Sequence, residues 1–288
     1  MSVFRAVMAA ALCVAGSVSA GPIPLDGPVH VSPITRVQTA NQSFNAWISG
    51  FRNRATRQGI LTATFDAAFD GIIYNTTVIE RDRNQSEFTK SLWDYLDTAV
   101  SDARVRNGRR ALDNNRQLLN RIEEIFGVDK DVVVAIWGLE SAYGAVRGST
   151  NVIEAMATLA YDGRRSEFFE QQLIAALQIL QAGDTAPRNM TGSWAGAMGH
   201  TQFIPTSFLD YAVDGNGDGR RDIWADDPTD ALASTANYLR SFGWVQGQPW
   251  GVEVQIPQRF DYAKARRENQ KLPSEWAKIG IVDMAGRA

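Results

Sequence analysis

Cysteine is almost missing from this chain: Cys13 is the single one among 288 residues. It lies in a segment expected to be removed, so the mature protein has no thiol nucleophile, no thiolate metal site and no disulfide. Histidine is nearly as scarce, with two residues, His30 and His200. A zinc centre or a Ser/His/Asp triad has almost no material to be built from. Charge of one sign is also lacking. The formal net charge is −3, the pI is about 5.5, and Lys and Arg are dispersed, which leaves no electrostatic footprint for nucleic acid. No apolar run approaches the ~20 residues that a spanning helix needs.

The apolar stretch that is present, Ala6 to Val18 after Arg5, ends in Val18-Ser19-Ala20. That pattern predicts a secretory signal peptide over residues 1–20, cleaved after Ala20. Leu12 before Cys13 is bulky where a lipid-attachment site wants a small residue, so a lipid anchor is not expected. Residues 21–40 carry Pro22, Pro24, Pro28 and Pro33 without a sustained period and read as an extended leader.

From Asn41 the spacing becomes helical. Phe44, Trp47, Ile48, Phe51 and Ala55 recur at threes and fours, with Asn41 or Ser43 able to cap the start and Gly59 the end. A short helix after Thr62 carries Phe65 and Phe69. A longer one runs from Leu92 to near Gly108, and another, marked by Leu112, Leu118, Leu119, Ile122, Ile125 and Phe126, stops at Gly127. These define an expected helical domain over residues 41–127, whose aromatics are read as core.

Residues 137–144 read WGLESAYG. With Asp129 as N-cap and Gly144 as stop, a helix puts Val133, Ile136, Trp137 and Glu140 on one face. The β-branched run Val132–Ile136 also suits a buried strand. A carboxylic acid among apolar and aromatic neighbours would stay protonated near neutral pH and could donate its proton. The alternative is a structural Glu paired with Arg147, Arg164 or Arg165.

Two further segments follow. In GSWAGAMGHTQFIPTSF, Gly192, Gly196 and Gly199 with Ala195 and Ala197 allow close backbone approach, and Ser193, Gln202 and Phe203 supply polar and stacking groups. This suits the floor of a sugar cleft, and equally a tight connection between helices. Thr206 or Ser207 is then expected to cap a helix carrying Phe208, Leu209 and Tyr211. In DGNGDGRRD, Asp214, Asn216 and Asp218 occupy positions 1, 3 and 5 of an EF-hand-like loop, with Gly219 at 6, the Arg220 carbonyl at 7 and Asp222 at 9. Ala225 cannot supply the closing acid, which leaves Asp226, Asp227 or Asp230. A solvated acidic turn is the alternative.

With ESAYG, YDGRRSEFF at Tyr161–Phe169, GAMGHTQFIP, the acidic loop and DALASTANYL at Asp230–Leu239 falling in order, the chain resembles the membrane-bound lytic transglycosylase B family (glycoside hydrolase family 103) from about Phe44 onward. The resemblance implies a mainly α fold: a lysozyme-like catalytic core over 128–245, with the EF-hand-like loop at 214–230, a helical N-terminal domain and a small β-rich appendage over 246–288. Relatives continue beyond the position of Ala288 into further β structure and a returning helix, so the appendage is expected to be incomplete. The resemblance implies Glu140 as catalytic acid and then base. It implies Arg164, Arg165, Ser193, Gln202, Phe203 and Tyr238 as substrate-binding residues. For structural calcium it implies Asp214, Asn216, Asp218, the Arg220 carbonyl and Asp230.

The implied reaction is cleavage of the MurNAc-GlcNAc bond of peptidoglycan in the periplasm, leaving 1,6-anhydromuramyl ends. A single carboxylate suffices when the substrate supplies its own nucleophile, whereas ordinary glycoside hydrolysis uses two. A hydrolytic muramidase and a non-catalytic, calcium-stabilised peptidoglycan-binding protein are the competing functions.

Overall fold

The computed structural model describes residues 33–84, 91–249, 251–266 and 268–287. The signal segment and the first part of the leader lie outside them. The described chain divides into two compact units, one ending at Gln246 and one starting at Gly247.

The described residues of the first unit are mainly helical: α1 (Pro33–Arg57), α2 (Thr62–Phe69), α3 (Thr76–Arg83), α4 (Leu92–Ala99), α5 (Asp102–Asn114), α6 (Arg116–Phe126), α7 (Lys130–Ser141), α8 (Val152–Asp162), α9 (Ser166–Ala182), α10 (Pro205–Tyr211) and α11 (Thr229–Ser241). Among its described residues one sheet pairs β1 (Thr150–Asn151) with β2 (Thr191–Gly192), antiparallel, with Thr150 opposite Gly192.

Several expected boundaries move. The leader does not stay extended to residue 40, because α1 begins at Pro33. Proline is tolerated in a first turn, where its missing N–H would have no partner anyway. Asn41 and Ser43 are therefore interior positions rather than caps. The expected 92–108 helix is two helices, broken at Val100 and Ser101, where Ser101 is extended (ψ 148°) and starts α5. Gly108 lies inside α5, and α3 was not anticipated at all. At the other end of the unit, α10 starts at Pro205 after extended Ile204, so Thr206 and Ser207 do not cap it; Gln172 Oε1 accepts from both the Thr206 amide and its hydroxyl at 3.1 Å.

Two clusters form the core. In the first, α8 and α9 supply Ile153, Met156, Leu159, Leu173, Leu177 and Ile179, and the earlier helices lay Phe44, Phe51, Phe65 and Val78 against them. Each fully buried side chain of this size contributes about 1.5–3 kcal/mol. In the second, Leu119, Ile122 and Val128 meet Val133, Val134 and Trp137 of α7 and Leu232, Ala236 and Leu239 of α11. Residues 41–127 thus contribute to both clusters, each of which also draws on later helices. The helix α11 joins the clusters, placing Ala231 in the first and Leu232 and Ala233 in the second, with Tyr238 against both.

The second unit has little regular structure: β3 (Val254–Gln255) pairs antiparallel with β4 (Val282–Asp283), alongside one 3-10 turn (Tyr262–Lys264) and α12 (Pro273–Ala277). Among its described residues, the β content is that single short ladder. Among the described residues, no helix is long and apolar enough to cross a membrane.

Candidate active site

The helix reading of Val132–Ile136 holds: α7 follows Asp129, and Val133, Val134, Trp137, Gly138 and Ser141 are buried along it. Asp129 makes no side-chain cap bond to the helix, and its Oδ2 instead accepts from the Trp244 indole at 2.9 Å. Glu140, one residue from the end of α7, is half-buried. Burial alone pushes its carboxyl up to about 7 from an ordinary 4.5. All three arginines weighed as partners are engaged with other groups. Arg147 bonds Asp226 at 2.7 Å and the carbonyls of Trp224 and Ala225. Arg164 and Arg165 converge on Asp82 of α3, which is only 2% exposed on its side chain. Among the described residues the Glu140 carboxyl has neither a hydrogen bond nor an ion pair, so nothing offsets its desolvation. The result is a proton donor poised at neutral pH.

The chain leaves α7 through strained backbone. Ala142 and Tyr143 have φ of 50° and 62°, and the third non-glycine residue with positive φ among those described is Gln202, at 53°. All three adjoin Glu140 or the segment joined to it, as backbone strain at functional sites does. Tyr143 folds back over Gly138 and Gly108. A Cβ at Gly108 would lie 2.7 Å from the phenol oxygen, and one at Gly138 would lie 2.5 Å from it. The phenol donates to the Arg104 carbonyl at 2.8 Å, and the Arg104 guanidinium donates to the Gly138 carbonyl at 2.6 Å. The two glycines therefore make room for a brace between α5 and the end of α7.

The glycine-rich segment is locked to this end of α7. Ser141 Oγ donates to the His200 carbonyl at 2.5 Å, and the Trp137 indole donates to His200 Nδ1 at 3.1 Å. Met198 bridges to both Gly192 and Phe203, forming a tight β-like fold. Backbone crowding requires the glycines: a Cβ at Gly148 would fall 2.6 Å from the Ser193 nitrogen, and one at Gly199 would fall 2.8 Å from the Ile223 side chain. Within this fold Gln202 Nε2 donates to the carbonyls of Arg147 (3.1 Å) and Gly199 (2.9 Å). Ser193 Oγ accepts from the Ala197 amide at 3.1 Å. Phe203 meets the edge of Tyr238 at 5.8 Å, and burial, with Tyr211 beside it, pushes the Tyr238 phenol up to about 12. Gln202, Phe203 and Tyr238 are thus drawn together, while Arg164 and Arg165 form a separate cluster on Asp82. The sequence pattern had not disclosed Asp82, Ser141 or the His200 contacts. Asp82 stands 82 residues before Arg164 in the chain, and no local spacing links it to the YDGRR pair.

In the acidic loop the oxygens point inward. Asp214 accepts the amides of Gly217 (2.7 Å), Asp218 (3.2 Å) and Gly219 (2.8 Å), and Asp218 accepts that of Arg220 at 2.9 Å. Asp230, at the start of α11, closes the loop by accepting from Gly215, Asn216 and Asp222. It is 2% exposed, and burial holds its carboxyl above the ordinary value. An all-oxygen donor set around a desolvated carboxylate suits a hard divalent cation. Among the described residues, three His, Cys, Asp or Glu side chains do not converge at metal-binding distance, because Asp214 and Asp218 are turned to backbone amides.

Residues 43–288 match the family described as the transglycosylase SLT domain. The chain belongs to this family. Among curated proteins, this SLT-domain chain is similar to the membrane-bound lytic murein transglycosylase B of Escherichia coli (strain K12), 39% identical over 159 residues that span 55% of the chain and 44% of the relative. Among solved structures it is similar to SltB3 from Pseudomonas aeruginosa in complex with NAG-NAM-pentapeptide, with TM-score 0.80, 51% identity, and coverage of 84% of this chain and 65% of that one. SltB3 has the same measures in complex with NAG-anhNAM-pentapeptide. The Escherichia coli lytic transglycosylase SLT35 in complex with calcium aligns with TM-score 0.67 and 28% identity over 85% of this SLT-domain chain and 76% of SLT35. The chain therefore spans less than half the length of the curated relative and about two thirds of SltB3.

Proposed function

We propose that this protein is a lytic transglycosylase that cleaves the MurNAc-GlcNAc β-1,4 bond of peptidoglycan. The observation that carries the reading is Glu140: a carboxyl raised to about 7 by burial, without a partner, on the helix that faces the glycine-rich fold. Glu140 protonates the glycosidic oxygen, the C1–O bond breaks, and positive charge develops on C1 and the ring oxygen. The resulting carboxylate then takes the proton of the muramyl 6-hydroxyl as that oxygen bonds to C1, which regenerates the acid and leaves a 1,6-anhydro ring. Water is not consumed, so no second carboxylate is required. The complex of SltB3 with an anhydromuramyl ligand favours this outcome over hydrolysis.

Phe203 and Tyr238 form an aromatic wall for the sugar rings. Gln202 and Ser193 offer polar contacts along its floor, and the Arg164–Arg165 pair provides cations for the anionic substituents of the strand. Calcium at Asp214, Asn216, Asp218, the Arg220 carbonyl and Asp230 would supply structural cross-linking of the loop, a role supported by the donor set and by the calcium complex of SLT35. Export through the signal segment 1–20, with cleavage after Ala20 and no lipid anchor at Cys13, would put the enzyme with its substrate in the periplasm.

Mass spectrometry of digested sacculi tests the reading. Anhydromuramyl ends are expected from the unmodified protein and none from Glu140→Gln, which is nearly isosteric and has no acid proton to give. Reducing ends would establish a muramidase, and absence of any release would establish a binding protein.

A further inference from the structure

We propose that His200 is a positioning residue for Glu140: its neutral ring, held between Trp137 and the Ala225 carbonyl, registers the end of α7 against the turn that carries Gln202, and protonation of the ring releases that register. The inference rests on the reading of Glu140 as the acid.

His200 is 3% exposed and touches α7 on both sides of Glu140. Its ring bonds Trp137, three residues before the acid, and its carbonyl bonds Ser141, one residue after it. Indole N–H can only donate, so Nδ1 must be an unprotonated acceptor. The proton of the neutral ring is then on Nε2, where it donates to the Ala225 carbonyl at 2.7 Å. Gly144 clears space for the ring, since a Cβ there would lie 2.5 Å from Nδ1. Two residues on from His200, Gln202 is tied to the Arg147 carbonyl, so the helix end, the loop after it and the glycine-rich turn meet around one imidazole.

A second proton can enter only at Nδ1, where it would point at the indole N–H and break that bond. The charged groups around the ring add to the cost. From the loop after α7, the Arg147 guanidinium lies 3.1 Å from Nε2 and repels an imidazolium. From the turn that follows the acidic loop, Asp226 and Asp227 act in the opposite sense, and Asp226 is already paired with Arg147. The contact offered by α7 is the uncharged Trp137. Burial comes first among the causes and holds His200 below its ordinary value of 6.5. As pH falls, Glu140 becomes fully protonated and its own titration would leave activity on a plateau. The inference adds an acid limb, where activity falls as His200 gains its proton.

The test combines pH profiles with NMR on the full chain, in which two histidines make the ring signals assignable by comparison with His200→Asn. His200 is expected to titrate below 6.5 from the Nε2–H tautomer, with the Trp137 indole resonance moving at the same midpoint and kcat falling there. His200→Phe, which loses both ring bonds, should lower kcat roughly tenfold or more at every pH with KM changed far less, as small misplacements of a catalytic group do. His200→Asn, which cannot titrate but can accept from the indole, should retain more of kcat and flatten the acid limb. An acid limb unchanged in His200→Asn, or a Trp137 resonance that ignores the titration, overturns the inference. Failure of the unmodified protein to form anhydro ends would overturn the proposed function instead, and the NMR arm would still decide whether His200 and Trp137 are coupled.

Discussion

Replacing Glu140 by Gln should make the protein more stable, but only on the alkaline side. The carboxyl rises from 4.5 to about 7 on folding because burial penalises its charged form. A group whose folded value is raised contributes its stability below the unfolded value and loses it as pH climbs through the folded one. At about 1.36 kcal/mol for each pH unit, the penalty carried by the native protein at pH 8.5 is on the order of 3 kcal/mol, and at pH 4.5 it is under about 0.5 kcal/mol. The amide has no charge to desolvate, so Glu140→Gln escapes the penalty. For a unit of this size each kcal/mol moves the melting temperature by roughly 2–4 °C. Thermal melts should therefore place the variant several degrees above the unmodified protein at pH 8.5 and nearly level with it at pH 4.5. Equal differences at the two pH values would mean that Glu140 is not desolvated when charged, and would remove the physical basis for its acid role.

Calcium should raise the melting temperature by an amount corresponding to about 2.7 kcal/mol when it is a hundredfold above its dissociation constant. Asp214→Ala combined with Asp218→Ala should erase that response, and coincident melts of the unmodified protein in chelator and in millimolar calcium would make the loop an ordinary acidic turn. Gly138→Ala, ordinarily favourable in a helix, should instead cost about 1–3 kcal/mol, because the new methyl group meets the Tyr143 ring at 2.5 Å. Urea denaturation measures this directly, and a stabilised variant would show that the ring moves aside freely.

What could be read from the amino-acid order alone was whatever depended on local period or spacing. The alternation of apolar residues placed Glu140 on the inner face of α7, and Asp/Asn/Asp/Gly spacing outlined the acidic loop. Ionic partners, by contrast, are decided across the fold. Three arginines were equally available to Glu140 in sequence, and only packing sends two of them to Asp82 and the third to Asp226. Gly108 looked like a helix stop, because a missing side chain reads the same whether it ends a helix or admits a tyrosine from another one. His200 drew notice only for its rarity, since its bonds reach 63 residues back and 25 residues forward along the chain. The prolines misled at Pro33, where the first turn of a helix and an extended leader accept the same residue.

The left-handed residues Ala142, Tyr143 and Gln202 have a consequence for how this protein could change under selection. A side chain in that conformation costs roughly 1–2 kcal/mol that glycine would not incur. A population screened for heat tolerance alone would thus gain from a glycine codon at Ala142, whereas at Tyr143 and Gln202 the same change also forfeits the bonds to Arg104, Arg147 and Gly199. That gain would loosen the turn that follows Glu140. At Tyr143 and Gln202 the side chain offsets its own backbone strain through its bonds, so only at Ala142 do heat tolerance and the set of the turn pull in opposite directions.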